Sequence, residues 1–479
     1  MRRGLAHLLS PSLDDVWAVV AVLLPVGATL LVRTQAIDLA YQIRAGEVML
    51  DTGSVLRTDT FTYTVGGEPW LNQQWGAQVA LAAVFRLGGW PLLDLTRAAL
   101  VAITCLFIYR ACRANEATPR LASVLTLAGW LVGSQIVTML RPQQFAFALF
   151  AATLWAIATR HEHPYRVWLV PALVVVWANV HGSFPLAIAV LTGAWLEDRR
   201  GDVRLAKTLV AAAGLSIIAS FVNPYGPGVW RYVVELSTHP IVSRRVAEWG
   251  PPSIHTPTGQ LFFASLFVIV AIVARRGRRL GWLPLLTLGV YATLSLLAIR
   301  GVAWWGLAIP LIVAAQLADL DQPRASDRSP RHMVFIVALA GLAVVGFASH
   351  RGLDPRTGAP TMLAYAPERL VTAVRAEVEP GDRVFVSQLY ASWAGFSAPG
   401  ILVHVDPRIE IFPEHVWDEH FSISDGREGW DELLDDQGVR ALILESSQAA
   451  GLLEVLPTND GWRLLIETEE GAAYVSTAV

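Results

Sequence analysis

The sequence predicts an α-helical polytopic membrane protein that ends in a small α/β domain. Three observations predict it. Apolar runs of bilayer-crossing length recur up to residue 349, arginine clusters fall at alternate gaps between them, and the composition changes beyond that point. Of the 479 residues, 54% are hydrophobic and only 16% charged, and mean hydropathy is +0.45. A chain folding in water cannot hide that much apolar surface, whereas a chain that crosses a bilayer repeatedly need not hide it.

A crossing takes about 17–25 mostly apolar residues. About eleven stretches qualify: 15–33, 89–109, 121–139, 143–159, 165–180, 183–197, 206–222, 259–275, 281–298, 302–319 and 333–349. Some are short, and the 165–180 and 183–197 pair also reads as tilted or re-entrant. Basic residues cluster at Arg2/Arg3, Arg110/Arg113/Arg120, Arg160/Arg166, Arg199/Arg200/Arg204 with Lys207, Arg275/Arg276/Arg278/Arg279 and Arg324/Arg328/Arg331. Every cluster falls in an even-numbered gap, with the N-terminus counted as zero. Cytoplasmic loops carry the excess of arginine and lysine, so the N-terminus is expected inside and the C-terminal domain outside. Lys207 is the only lysine among 37 basic residues, which points to a GC-rich bacterial genome and hence to the bacterial inner (plasma) membrane. No small-residue cleavage site precedes Val16, so the first run reads as a retained anchor. A net charge of −3 gives no support for a nucleic-acid partner, and Cys105 and Cys112, in or beside one apolar run, imply no disulfide framework.

Two domains follow: 1–349, transmembrane, with a first outer loop over 34–88, and 350–479, a soluble extracytoplasmic α/β domain. In the tail, 383–387, 401–405 and 441–444 read as strands, 414–421 and 430–436 as helical, and 461–467 with 472–477 as a closing hairpin around Glu469-Glu470-Gly471-Ala472. Asp406, Arg408 and Glu410 alternate along a strand-like face.

The inner loops are short and basic, and the outer ones are long and rich in polar and aromatic residues, so any chemistry is expected outside. In the first outer loop, 38–50 reads as helix, with Ile43, Val48 and Leu50 toward lipid, Asp38, Gln42 and Arg44 elsewhere, and Thr52-Gly53 as a break. Residues 57–70 read as turn and short strand around Gly66-Gly67, and 74–87 as an amphipathic interfacial segment. Asp38 stands about one turn beyond the first run. Arg44 and Arg57 supply cations for a phosphate, and Tyr63, Trp70 and Trp75 supply flat faces for a sugar ring. The other outer loops add Arg141, His181, Tyr225, Glu248 and Arg300, the last beside Trp304 and Trp305 in an aromatic-belt pattern. Asp94 and Arg97, three apart inside the second run, read as an ion pair, because a lone charge at mid-bilayer costs about 3 kcal/mol or more. There is no P-loop, GxGxxG or HExxH motif, and none of the 11 histidines shows metal-ligand spacing, so no cofactor is expected and a divalent metal is unsupported.

One first run, an outer loop holding Asp38 and "IRAGEVMLDTGSVLRTDTFTYT", then "PWLNQQW", "RPQQF", "WANVHGSF", "NPYG", "EWGPP" and, in the tail, "HVDPRIEIF", occur in this order. Read together, they resemble a bacterial branch of the GT-C superfamily of membrane glycosyltransferases. The resemblance implies a GT-C-like fold and transfer of a sugar from a polyprenyl-phosphate carrier to an acceptor hydroxyl on the outer membrane face. It implies Asp38 as general base, with Arg44, Arg141 or Arg300 on the lipid phosphate. The implied partners are a lipid-linked sugar donor, a cell-envelope glycan or glycoprotein acceptor, and membrane lipids. The same resemblance expects histidine where Gln42 stands and His-Glu where Gln73-Gln74 stand. Those replacements argue against a metal-dependent mechanism. They keep open an alternative, a non-catalytic or transporter-type protein handling a lipid-linked sugar or envelope polymer.

Overall fold

The computed structural model describes residues 10–276, 280–322 and 327–478, the side chain of Arg245 excepted. Arg2, Arg3, Arg278, Arg279 and Arg324 lie outside the described residues. The chain divides into two compact units. One comprises Met1–Val32, Asp94–Glu235 and Ser243–Ser349; the other comprises Arg33–Leu93, Leu236–Val242 and His350–Val479. The segment read as the first outer loop therefore shares a unit with the tail.

The first unit is helical. Its apolar helices are Leu13–Leu30, the later part of Trp75–Ala114, Pro119–Val137, Pro142–Ala158, Leu169–Val180 with a preceding 3-10 turn, Pro185–Asp198, Val203–Ala219, Pro257–Arg276, Trp282–Leu297, Gly301–Leu317 and Pro330–Ser349. Each apolar run falls on one of them. Among the described residues, five helices are long and apolar enough to cross a membrane: Leu13–Leu30, Trp75–Ala114, Pro119–Val137, Pro257–Arg276 and Pro330–Ser349. Local chemistry sets the starts. Ser12 and Asp15 form a reciprocal capping box. Proline opens the Pro119, Pro142 and Pro185 helices, where its missing N–H costs nothing. The long Trp75–Ala114 helix breaks at Gly88-Gly89, where Gly89 takes φ 62°.

Close approach binds this unit together. A Cβ placed on Gly129 would stand 2.2 Å from the Gly306 carbonyl oxygen, and one on Gly306 would stand 2.5 Å from that of Gly129. Small residues allow such backbone contact where water exclusion supplies little drive between helices. Asp94 and Arg97 pair at 2.6 Å, as expected. Arg97 does more: its Nη2 donates to the carbonyls of Thr29 and Val32 at 2.9 and 2.8 Å, capping the end of the first helix. Trp304 and Trp305 are not an exposed belt. Both are buried; Trp304 packs among Phe147, Phe150 and Trp177, and Trp305 Nε1 donates to Ser265 Oγ at 2.9 Å. Gly129→Val is expected to force the two backbones apart and destabilise the protein by about 1–3 kcal/mol, visible as a lower unfolding midpoint in detergent.

In the second unit, the Ala36–Thr52 helix follows β1 (Thr34–Gln35), which pairs in parallel with β2 (Leu363–Ala364). It stops at Gly53, whose left-handed φ of 64° sends its N–H back to the Met49 carbonyl. Its small residues Ala36 and Ala40 lie in one core with Ala391 and Ala394 of the Gln388–Ser397 helix. Ile43 is buried, not turned to lipid. Gly46 meets the Gln78 carbonyl so closely that a Cβ would stand 2.1 Å from it. The 74–87 segment is the first part of the Trp75–Ala114 helix; its Phe85 and the following Trp90 pack on Phe396, and Trp90 lies against Trp393.

The tail builds a five-stranded sheet in the order β4-β3-β5-β7-β6, with β3 Arg383–Val386, β4 Leu402–Val403, β5 Val439–Glu445, β6 Trp462–Thr468 and β7 Gly471–Ser476. β4, β3 and β5 are parallel, and β5, β7 and β6 antiparallel. The expected 401–405 strand is only two residues long. At the sheet's edge, Tyr63 N–H donates to the Val403 carbonyl and Val403 N–H to that of Phe61, each at 3.1 Å. The first outer segment thus covers an edge that would otherwise be open.

Asp406, Arg408 and Glu410 do not alternate on a strand; they fall on irregular chain and a 3-10 turn (Ile409–Ile411). Arg408, 1% exposed, bonds Asp406 through Nε and Nη2, and its Nη2 also reaches Asp59 Oδ1 at 2.5 Å. The guanidinium lies 4.5 Å from the Trp70 ring centre and 5.1 Å from that of Phe61. Arg408→Met would strand two buried carboxylates and is expected to destabilise this unit by about 3–5 kcal/mol, with Asp59→Asn and Asp406→Asn added to it restoring most of the loss. Urea unfolding followed by tryptophan fluorescence measures both.

Candidate functional site

The residues singled out from the sequence divide between the two units. Asp38, Arg44, Arg57, Tyr63, Trp70 and Trp75 belong to the second, and Arg141, His181, Tyr225, Glu248 and Arg300 to the first.

Asp38 sits half-buried in the first turn of the Ala36–Thr52 helix, where exposed backbone N–H groups favour a negative charge. Tyr41 is one turn on and faces the same side. Burial, then the charges of Asp38, Glu410 and Asp406, push its phenol well above the usual range, so it stays protonated. Gln42 Nε2 donates to the Tyr41 oxygen at 2.5 Å and to Gln74 Oε1 at 2.9 Å. The amides at two positions where titratable groups were expected therefore bond to each other. Arg44 stacks on Phe61 at 4.7 Å. Burial first, then Arg408, lowers its pKa to about 10, with Asp406 and Asp59 opposing, and it remains a cation at neutral pH. Tyr41, Arg44, Phe61, Ser392, Gly395 and Asp406 help line a cavity of about 10 Å³, room for about one water.

The aromatic platforms are otherwise engaged. Trp70 is buried beneath Arg408. Tyr63 stands edge-on to His404, 5.4 Å between centroids, with Arg383 over its face. Trp75 is half-buried at a helix start, and Arg57 is exposed. Beside Tyr63, His404 and His420 form a buried pair 5.4 Å apart, against Phe385. Neither histidine stood out in the sequence, because fifteen intervening residues give no spacing signal; Tyr41, three residues after Asp38, was within reach of helical periodicity.

In the first unit, Arg141 is the N-cap of the Pro142–Ala158 helix, and its Nη1 contacts both oxygens of Glu248 at 2.8 and 2.9 Å. Arg300 Nη2 reaches Glu248 Oε2 at 3.2 Å and stacks on Trp249 at 4.5 Å. Burial raises the Glu248 carboxyl, but Arg141 and Arg300 outweigh it and hold the group ionised. His181 closes a tight turn: its Nδ1 accepts the Ser183 N–H at 3.1 Å, and Ser183 Oγ accepts from Trp177 Nε1 at 3.0 Å. Burial, then nearby Arg300, lowers the imidazole to about 3, so it is neutral, with its proton on Nε2. Tyr225 lies in an Asx turn, its N–H bonded to Asn223 Oδ1 at 2.8 Å. Among the described residues, no group of three or more His, Cys, Asp or Glu is arranged to hold a metal.

Solved structures show where this architecture recurs. The archaeal oligosaccharyltransferase AglB from Archaeoglobus fulgidus, in complex with an inhibitory peptide and a dolichol-phosphate, matches 97% of this chain over 74% of its own, at TM-score 0.61 and 11% identity. ArnT from Cupriavidus metallidurans, bound to undecaprenyl phosphate, matches 96% over 97% of its own, at 0.55 and 13%. The chain has the GT-C fold. No family model matches the sequence, and no curated protein matches it.

The buried histidines predict an acid response. Burial lowers His404 to about 3, and burial with neighbouring His404 holds His420 well below its ordinary 6.5. Both are neutral when folded and take up protons near 6.5 when unfolded, so their contribution is complete above pH 6.5 and is lost as pH falls from there toward 3. Each accounts for a slope of up to about 1.4 kcal/mol per pH unit in that window. The unit is expected to resist proteolysis better at pH 7 than at pH 5, and His420→Phe should flatten the difference.

Proposed function

We propose that the protein is an integral membrane glycosyltransferase that moves a sugar from a polyprenyl-phosphate carrier to an acceptor hydroxyl on the outer membrane face. The observation that carries this reading is the GT-C fold over nearly the whole chain, with Asp38 in the first turn of the helix that follows the first apolar helix. Eleven crossings, a cytoplasmic N-terminus and an extracytoplasmic tail belong to the same proposal, on the arginine pattern.

In the proposed reaction, Asp38 accepts the proton of the acceptor hydroxyl. The oxygen attacks the anomeric carbon, and the bond from that carbon to the phosphate oxygen breaks. The electron pair leaves with the polyprenyl phosphate, which goes from a singly charged diester to a monoester carrying up to two charges. A phosphate leaving group needs cations more than an acid, and Arg44, Arg141 or Arg300 is the proposed source. One displacement inverts the anomeric centre. The acceptor is a cell-envelope glycan or glycoprotein. No metal is assigned, since hydrogen-bonded amides hold positions 42 and 74.

The same amide pair favours a second reading, in which the fold binds a lipid-linked sugar without transferring it. Purified protein supplied with polyprenyl-phosphate sugars separates the two. Asp38→Asn is expected to lower transfer by about 10²-fold or more. Transfer that survives this substitution removes Asp38 as base, and a wild type inert toward every donor favours the binding protein.

A further inference from the structure

The proposed reaction counts Arg141 and Arg300 among the candidate phosphate ligands but leaves the residue between them without a part. Glu248 is held by both: Arg141 Nη1 lies 2.8 and 2.9 Å from its two oxygens and Arg300 Nη2 3.2 Å from one. The three side chains keep 21%, 25% and 28% of their surface in the order Arg141, Glu248, Arg300, so the cluster is within reach of a ligand. Two cations and one carboxylate leave a net charge of +1.

The three side chains stand on different elements. Arg141 is fixed as a helix N-cap, and Arg300 immediately precedes the Gly301–Leu317 helix and is braced on Trp249. Glu248 sits in the middle of a three-residue 3-10 turn, Ala247–Trp249. Its carboxylate presents two oxygens and one negative charge to the guanidinium groups. A phosphodiester also presents two non-ester oxygens and one charge, so exchange with Glu248 gains it little. A phosphomonoester presents three oxygens and up to two charges, and guanidinium pairs bind it more strongly.

We propose that Glu248 is a resident counter-ion of the Arg141–Arg300 clamp, displaced by a phosphomonoester but not by a phosphodiester. The inference rests on the reading that these arginines hold the lipid phosphate. Its consequence is selectivity at two levels. Diester headgroups of bulk lipid do not occupy the clamp. The diester donor meets a clamp still shared with Glu248, while the departing monoester takes the clamp fully, an interaction that strengthens as the bond to the sugar breaks.

The test measures binding of undecaprenyl monophosphate and of phosphatidylglycerol, a diester, to detergent-purified protein. Wild type should prefer the monophosphate by about tenfold or more, and Glu248→Gln should bind the diester about tenfold more tightly, narrowing that preference. Glu248→Asp keeps the charge on a shorter arm and should fall between, and unfolding midpoints confirm that each variant is folded. Inorganic phosphate should compete with the monophosphate in wild type; no competition assigns the affinity to the lipid chain and overturns the proposal. Should Arg141→Gln with Arg300→Gln abolish monophosphate binding while Glu248→Gln keeps wild-type selectivity, the counter-ion role alone fails. Unchanged monophosphate binding in that double variant removes the arginines as phosphate ligands, and both readings fail together.

Discussion

The second unit depends on a single guanidinium. Arg408 joins Asp406, two residues away, to Asp59, which lies 349 residues earlier in the chain. Asp59 in turn accepts from the N–H and hydroxyl of Thr62, at 3.1 and 2.7 Å, and thereby shapes the segment that covers the sheet edge. Taking these charges out of water is costly and is offset only by near-complete hydrogen bonding. A surface contact of the same composition would tolerate slippage; this one does not, because a small shift leaves a carboxylate buried and unpaired. The helix that carries Asp38 reaches the sheet domain through the same unit, packed on the Gln388–Ser397 helix. The position of Asp38 is therefore set by the tail as much as by its own helix.

The two charged clusters solve different problems. The Arg408 cluster is sealed, with its charges nearly out of contact with solvent, and it specifies which parts of the chain meet. The Arg141–Glu248–Arg300 cluster is partly open and carries an excess positive charge. The buried histidines next to Tyr63 form a third arrangement, neutral and apolar in effect, in which imidazoles serve as flat packing groups beside Phe385.

Long apolar runs, arginine asymmetry and turn chemistry made the helices of the first unit legible in the sequence, since each depends on residues close along the chain. The 430–436 helix and the β6–β7 hairpin were legible for the same reason. Partnership at a distance was not. Nothing near Asp59 announces Arg408. The Gln388–Ser397 helix escaped notice because its face is Ala391, Ala394 and Gly395, chosen for close approach and not for amphipathic contrast. Trp304 and Trp305 misled because tryptophan beside an arginine suits an interface as well as a packed helix core, and only the neighbours Phe147, Phe150 and Ser265 decide between them. For the site, the first helical turn and the arginines were legible, whereas the occupation of Tyr63 and Trp70 by His404 and Arg408 depends on the tail folding back.

That return of the tail also sets an order on biogenesis. Synthesis runs from the N-terminus, so the Ala36–Thr52 helix is made early and its partner helix Gln388–Ser397 late. At about 5–20 residues per second, the first waits roughly a quarter of a minute to a minute for the second. Through that interval Ala36 and Ala40 lack their burial partners, and Asp59 lacks its guanidinium. A chain truncated before Arg408 can hold every apolar helix of the first unit and still never complete the second.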